Sequence, residues 1–182
     1  VERKGAEGQS QAVLMGRFAD SRTETYINGR KRNMNILVSA CLMGVKCRYN
    51  GGGELVPGIR ELMERCHPVP VCPEIMGGLA TPRTPAERQD GRVVTQDGED
   101  VTGAYLRGAE EAVRLAKLFG CRYALLKERS PSCGSGRIYD GTFTRNLIPG
   151  DGVAAARLRE EGLTVYGESS IGQLLKDLER QV

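Results

Sequence analysis

Short apolar strands alternate with helices along the chain from Asn35 onward, and this alternation restricts the fold more than any other feature. The predicted strands cover residues 35–39, 69–71, 123–126 and 163–166, and the predicted helices cover residues 57–66, 101–119, 150–161 and a last segment that begins after Ser169 or Ser170. Strands that alternate with helices form a parallel sheet with right-handed crossovers. We therefore expect an α/β fold, a single three-layer α/β/α Rossmann-like domain with a mostly parallel sheet.

One long connection interrupts this pattern. Residues 73–98 are rich in Pro, Gly, Arg and Asp and show no clear helical period. Loops of this length in a compact domain tend to be lids or binding loops. We predict a functional loop that contains a small hairpin around Arg92 to Thr95.

The 182 residues fit one domain, since 40% of them are hydrophobic and 27% charged, as in ordinary globular proteins. Residues 1–33 are polar and lack a steady period. We interpret residues 1–33 as a flexible leader or a non-native extension, and residues 34–182 as the folded, cofactor-binding domain.

Charge is distributed unevenly between these two parts. Residues 1–33 carry seven Lys or Arg against four Asp or Glu, and residues 34–182 carry 19 against 19. A neutral domain argues against a large phosphate-binding face, so a nucleic-acid polymer is a weaker candidate partner than a small molecule. No apolar stretch approaches the ~20 residues of a membrane span, and no signal peptide opens the chain, so we expect a cytoplasmic protein that does not enter membranes.

Three of the six cysteines lie in turns rich in Gly, Pro or Ser that follow predicted strands. They are Cys41, Cys72 and Cys133. Loops beyond the carboxyl ends of parallel strands converge on one crevice, where three thiolates could bind a metal or a cluster. A 4Fe-4S cluster held by three protein thiolates leaves one iron open to another ligand. The alternative is that these cysteines are small buried hydrophobic residues; three disulfides are disfavoured in a chain with a full core.

The other cysteines are open to more than one interpretation. Cys47 could be a fourth ligand, a redox partner or a packed residue, and Cys66 with His67 could be read as metal ligands. We expect Cys121 to be packed in the core, and His67 to cap a helix end or to be exposed. A single histidine makes a Ser-His-Asp triad and the common zinc-hydrolase sites poor explanations.

Several polar residues lie close to the three cysteines in sequence. Glu74 follows Cys72 by two positions, so its carboxylate could act as a general base or acid beside the cofactor, or could accept hydrogen bonds from nearby N–H groups. Ser130 could contact the substrate or cap a turn. We add Ser39, Ser132 and Lys127 as candidate substrate-binding residues.

Taken together, these segments resemble the thiouracil desulfidase (TudS-like) family, formerly a family of unknown function. The matching segments, in order, are Ser39–Gly44, Cys47–Gly51, Pro70–Glu74, Gly77–Leu79, Pro82–Arg83, Asp100–Thr102, Lys127–Gly134 and Ile138–Phe143. The match runs from about Met34 to Glu168. The leader has no counterpart in the family pattern, and Asn50 stands where many relatives carry Asp.

The resemblance implies a 4Fe-4S cluster held by Cys41, Cys72 and Cys133. It also implies that the open iron binds the sulfur of a thiolated pyrimidine such as 4-thiouracil or 2-thiouracil, that Glu74 activates water and that Ser130 assists. Uracil and sulfide would leave without net electron transfer. Two alternatives are a non-catalytic iron-sulfur or sulfur-carrier module in RNA thiolation or sulfur metabolism, and a zinc-stabilised domain.

Overall fold

The fold is built on a four-stranded parallel sheet. A computed structural model of the protein describes residues 26–27, 30–31 and 34–180. In chain order the elements are β1 (Tyr26–Ile27), β2 (Arg30–Lys31), β3 (Asn35–Ser39), a 3-10 turn (Ala40–Leu42), α1 (Ile59–Arg65), β4 (His67–Val71), α2 (Pro73–Met76), β5 (Ala86–Gln89), β6 (Arg92–Thr95), α3 (Thr102–Leu118), β7 (Tyr123–Leu126), β8 (Arg137–Tyr139), β9 (Leu147–Pro149), α4 (Val153–Glu160), β10 (Thr164–Gly167), a 3-10 turn (Glu168–Ser170) and α5 (Ile171–Glu179).

The order of the central strands is β10-β7-β3-β4, and all three neighbouring pairs are parallel. Leu37 of β3 lies opposite both Val69 of β4 and Ala124 of β7. The inner strands β3 and β7 are buried and mostly apolar because helices cover both faces of the sheet. The predicted leader lies outside the described residues except for β1 and β2, which pair in antiparallel fashion.

Alternate residues of the sheet feed two separate apolar cores. On one face, Ile36 and Val38 pack with buried residues of α1 and α5, including Leu62 and Leu174. On the other face, the neighbouring β3 residue Leu37 packs with α3 and α4. The predicted three-layer α/β/α architecture is therefore confirmed. None of the described helices is long and apolar enough to cross a membrane.

Helices α2 and α3 approach each other closely because glycines lie at their contact. A Cβ atom on Gly108 of α3 would lie 1.7 Å from the Pro73 carbonyl oxygen, and one on Gly77, which ends α2, would lie 2.0 Å from the Ala104 carbonyl oxygen. Neither position can carry a side chain without a backbone shift. The close contact of α2 with α3 thus fixes the position of α2 after β4.

The long connection after β4 contains more structure than predicted. The hairpin is present, with β5 and β6 joined by Asp90 and Gly91 at φ 46° and 82°, as a two-residue type I′ turn requires. Helix α2 and the β8–β9 hairpin were not predicted, since elements of three or four residues are too short to show a period. Helix α4 begins at Val153 instead of residue 150.

Candidate active site

A cavity of about 540 Å³ lies at the carboxyl ends of β3, β4 and β7. Its lining includes residues that end or follow each of these strands: Ser39 and Cys41, Cys72 and Glu74, and Lys127, Ser130 and Cys133. The volume is within the range of small-molecule sites, ~300–1,000 Å³. The crevice expected at this edge of the sheet is therefore present.

The three predicted cysteine ligands are brought together in this cavity as free thiols. Cys41 lies in the 3-10 turn after β3, Cys72 immediately precedes α2, and Cys133 lies in the turn after β7. Cys41 and Cys133 are 8% and 6% exposed, and Cys72 is half-buried. Each thiol comes from a different strand end.

The three thiols affect one another electrostatically. Burial raises the pKa of Cys133, a hydrogen bond with Ser39 lowers it, and negative charge on Glu74, Cys41 and Cys72 raises it further. Burial also raises the pKa of Cys41, against the hydrogen bond and positive charge of Arg48. A bound metal centre would offset this cost, because a coordinating thiol is deprotonated outright.

The three cysteines form a donor set of the kind that holds an iron-sulfur cluster. No three His, Cys, Asp or Glu side chains within the described part of the chain lie close enough to bind one metal ion. A single zinc ion needs all its sulfur ligands ~2.3 Å from one point, whereas the thiolates of an iron-sulfur cubane bind different irons. The three thiols come from three different strand ends and line one cavity. Cys41, Cys72 and Cys133 could therefore hold a cluster.

The charges around the cavity also suit an anionic group. Its lining contains five basic side chains and three acidic ones: Arg48, Arg83, Lys127, Arg129 and Arg145, and Glu74, Glu87 and Glu128. Iron-sulfur clusters with thiolate ligands are stabilised by neighbouring positive charge and hydrogen-bond donors.

Glu74 lies in the first turn of α2, where Arg83 and Ser130 hold its carboxylate. Its Oε2 atom accepts hydrogen bonds from Arg83 Nε at 2.9 Å and from Arg83 Nη2. Its Oε1 atom accepts one from Ser130 Oγ at 3.3 Å. Tyr105 of α3 is buried beside this pair; burial raises the pKa of the phenol, and the negative charge of Glu74 raises it further. Glu74 is thus a fixed carboxylate at the cavity wall.

Ser130 connects this carboxylate to the loop of the third cysteine. While its hydroxyl donates to Glu74, its oxygen accepts the backbone N–H groups of Ser132 and Cys133, both at 3.1 Å. Ser130 therefore both shapes the turn, as one of the two sequence interpretations proposed, and lines the cavity.

The three candidate substrate-binding residues have different surroundings. Ser39 is buried, lines the cavity and accepts the backbone N–H of Lys127 at 3.0 Å. Lys127 also lines the cavity, and its ammonium group pairs with Glu168. Ser132 is fully buried and is not among the lining residues, and its hydroxyl has no hydrogen-bond partner in the described structure. The cavity lining therefore includes Ser39 and Lys127 but not Ser132.

Among the remaining cysteines, Cys47 lies at the site. It lines the cavity, and its carbonyl oxygen accepts hydrogen bonds from Cys72 Sγ at 3.8 Å and Arg83 Nη2 at 3.2 Å. Burial, followed by the charge of Cys72, raises the pKa of Cys47 to about 12. Cys66 is buried in the α1 core and donates to the Leu62 carbonyl at 3.1 Å, and Cys121 is buried between α3 and β7.

Sequence reasoning missed the roles of Arg83, Arg48 and Tyr105. Arg83 lies in the long connection after β4 and follows Pro82, which marks it as part of a motif but does not indicate what it contacts. Tyr105 belongs to the apolar face of α3 and looks like any other core residue. No spacing in the sequence connects either residue to Glu74.

The chain is similar to proteins of one family. The sequence model of the 2-thiouracil desulfurase family matches residues 36–170. YbbK of Bacillus subtilis (strain 168), named as an uncharacterized protein, is 44% identical over 150 residues, which cover 77% of this chain and 99% of YbbK. The solved structure of the [4Fe-4S]-dependent thiouracil desulfidase TudS is 45% identical with a TM-score of 0.77, over 81% of this chain and 99% of that chain. The chain thus belongs to the 2-thiouracil desulfurase family.

Proposed function

We propose that this protein is a [4Fe-4S]-dependent desulfidase that converts thiolated pyrimidines such as 4-thiouracil or 2-thiouracil to uracil and sulfide. The observation that carries the proposal is that three free cysteines and Glu74 line one cavity at the carboxyl ends of the strands. Membership of the 2-thiouracil desulfurase family and the similarity to TudS support it.

Cys41, Cys72 and Cys133 would hold the cluster. The cluster would supply a Lewis-acidic iron that can bind sulfur. The reaction is then a hydrolysis: one water is added, the carbon–sulfur bond is replaced by a carbon–oxygen bond, and sulfur leaves as sulfide. No electrons are gained or lost by the pyrimidine.

Glu74 would act as the general base of this hydrolysis. Arg83 occupies its Oε2 atom, so Oε1 is the atom that can accept a proton from water. Ser130 donates to the same Oε1 atom and is itself fixed by two backbone N–H groups. Ser130 can therefore orient the carboxylate and pass a proton between Glu74 and the substrate. Catalysis by a positioned acid or base contributes ~10²–10⁴-fold.

Ser39 and Lys127 would form the neighbouring part of the substrate wall. Both line the cavity, and the hydrogen bond from the Lys127 backbone to Ser39 Oγ joins the ends of β7 and β3. The Lys127 ammonium, paired with Glu168, keeps a positive charge near the thiols. We do not include Ser132 in the substrate site.

Anaerobic purification followed by iron and sulfide analysis tests the cofactor. Incubation of the cluster-loaded protein with 4-thiouracil and with 2-thiouracil, with sulfide and uracil measured separately, tests the reaction. Glu74→Gln should keep the cluster absorbance and lose at least about 100-fold in kcat. Cys41→Ser should lose the cluster. Cys121→Ser is its matched control and should keep the cluster, since Cys121 is buried away from the cavity lining. Release of no sulfide from either compound would exclude the proposed reaction.

A further inference from the structure

The connection between β8 and β9 has a fixed conformation of its own. Asp140 Oδ1 accepts the backbone N–H of Thr142 at 3.0 Å, and Asp140 Oδ2 accepts Asn146 Nδ2 at 2.8 Å. The Asp140 backbone N–H also donates to the Asn146 carbonyl at 3.1 Å. The two bonds between Asp140 and Asn146 connect the beginning of the loop to its end.

A buried carboxylate attaches this loop to the β5–β6 hairpin. Glu87 of β5 is 8% exposed, and its Oε2 atom accepts the backbone N–H groups of Gly141 at 2.9 Å and Phe143 at 3.0 Å. Gly141 has no room for a side chain, because a Cβ atom there would lie 2.6 Å from the Arg88 carbonyl oxygen. Burial of a carboxylate is costly unless hydrogen bonds compensate it. Both hydrogen bonds to Glu87 come from the short segment between Gly141 and Phe143.

The segment that Glu87 fixes includes a residue with a strained backbone. Phe143 has φ 59°, in the left-handed region that bulky side chains rarely adopt. Such strain persists only where the surrounding structure imposes it, and it is concentrated at ligand-binding sites. The hydrogen bond from the Phe143 N–H to Glu87 is one such constraint.

The side chain held in this way lies at the cavity. Phe143 is half-buried and lines the same cavity as the three cysteines and Glu74, as does Tyr139 at the end of β8. Thus a buried acidic group, a glycine without room for a side chain and a strained backbone together present an aromatic ring to the site. Core packing alone would not need this arrangement, because Phe143 belongs to neither apolar core.

We propose that Phe143 is the ring-stacking residue of the substrate pocket, and that Glu87 is a positioning residue that holds it there. The inference rests on the proposed function, since it takes the substrate to be a flat pyrimidine. An aromatic face binds a planar conjugated ring by stacking, with little dependence on the ring's substituents. Phe143 would therefore select planar rings, and the choice among thiolated pyrimidines would be left to other groups.

The test compares two ligands that differ in ring planarity. Uracil and 5,6-dihydrouracil carry the same carbonyl and N–H groups, but the second has two saturated carbons and a puckered ring. Their inhibition constants against 4-thiouracil turnover, and their affinities by equilibrium dialysis, are measured on the anaerobic cluster-loaded protein. We expect uracil to bind about tenfold more tightly, equivalent to about 1.4 kcal/mol.

Substitutions then assign this preference to Phe143. Phe143→Leu keeps an apolar side chain but removes the aromatic face, so the uracil preference should fall to about twofold or less, with KM raised and kcat retained. Phe143→Tyr should keep the preference. Glu87→Gln weakens two charge-assisted hydrogen bonds and should lower the preference in part, with unchanged iron content. Tyr139→Leu, which removes the other aromatic ring of this segment in the cavity lining, is the comparison variant and should keep the preference for uracil.

The outcomes separate this inference from the proposed function. Sulfide release with equal binding of the two ligands, or a preference that Phe143→Leu leaves intact, would overturn the stacking role alone. Loss of the preference in Tyr139→Leu but not in Phe143→Leu would assign stacking to Tyr139 instead. Absence of both sulfide release and uracil binding in the cluster-loaded protein would overturn the proposed function and the stacking role with it.

Discussion

Arg83 binds a single oxygen of the Glu74 carboxylate, with Nε and Nη2 both donating to Oε2. Ser130 donates to the other oxygen, Oε1. Arg83 and Glu74 are only 10% and 13% exposed, so this pair is much better shielded from water than the surface ion pairs of the protein. Nη2 of Arg83 also donates to the Cys47 carbonyl, so Arg83 joins the carboxylate to the turn that follows Cys41.

Replacement of Arg83 by Met should impair both folding and turnover. It leaves a buried carboxylate without its partner, a change that costs about 3–5 kcal/mol in well-buried pairs. Arg83→Lys keeps the charge but cannot donate from two fixed nitrogens to one oxygen, so it should fall between the wild type and Arg83→Met in kcat. Denaturant unfolding and steady-state kinetics measure the two effects.

The double variant Arg83→Met, Glu74→Gln provides the control for this pair. It should recover much of the lost stability, because no unpaired carboxylate remains, and it should stay inactive. An Arg83→Met protein with wild-type kcat would show that the ion pair has no part in orienting Glu74.

Cys47 should be dispensable for the cluster although it lines the cavity. Its backbone carbonyl, which serine retains, accepts hydrogen bonds from Cys72 and Arg83, and a serine hydroxyl can replace the thiol in its side-chain hydrogen bond with Cys72. We expect Cys47→Ser to keep the iron and sulfide content of the wild type, whereas Cys41→Ser, Cys72→Ser and Cys133→Ser each lose it. The measurements are iron and sulfide per protein and the visible absorbance after anaerobic purification. Loss of the cluster in Cys47→Ser would make Cys47 a ligand.

The convergence of the three cysteines could be predicted from sequence because it follows from topology. Parallel strands place the loops after their carboxyl ends at one edge of the sheet, whatever the loops contain. The contacts of Arg83 could not be predicted, since they depend on the conformation of the connection after β4. The same holds for Lys127, whose partner Glu168 is 41 residues away.

Ser130 and Ser132 are only two positions apart, and the sequence could not predict which of them lies at the site. Both flank Pro131 and both are candidates for the site by sequence, yet Ser130 lines the cavity and Ser132 does not. The Ser130 hydroxyl accepts the backbone N–H groups of Ser132 and Cys133 and donates to Glu74 at the cavity, whereas the Ser132 side chain is buried. Only the folded turn distinguishes them.

These two serines provide a matched pair of substitutions. Ser130→Ala removes the acceptor of two backbone N–H groups, at a cost of ~1–3 kcal/mol for each one left unsatisfied in a buried site. It also removes the hydrogen bond to Glu74 Oε1, the oxygen that Arg83 does not hold, so stability, cluster retention and kcat should all decrease. Ser132→Ala removes a hydroxyl without a hydrogen-bond partner in the described structure and should change none of them. Equal effects of the two substitutions on kcat would contradict the role assigned to Ser130.

Two glycines of α3 provide a second matched pair, one at the contact with α2 and one outside it. Gly103→Ala should stabilise the protein by about 0.5–1 kcal/mol, because alanine is the better helix former and the nearest atom to its Cβ, at 3.4 Å, belongs to the flexible Arg107 side chain. Gly108→Ala also gains helix propensity, but its Cβ would lie 1.7 Å from the Pro73 carbonyl oxygen.

Helix α2 must therefore move away from α3 in Gly108→Ala. Overpacking of this kind costs ~1–3 kcal/mol or more, so we expect net destabilisation in spite of the helix propensity gained. Pro73 stands between Cys72 and Glu74, so the same shift should lower both cluster retention and kcat. Thermal unfolding, iron content and turnover of the two variants are compared. If Gly108→Ala matched Gly103→Ala in all three, close packing of α2 on α3 would not be what positions the cysteine and the carboxylate.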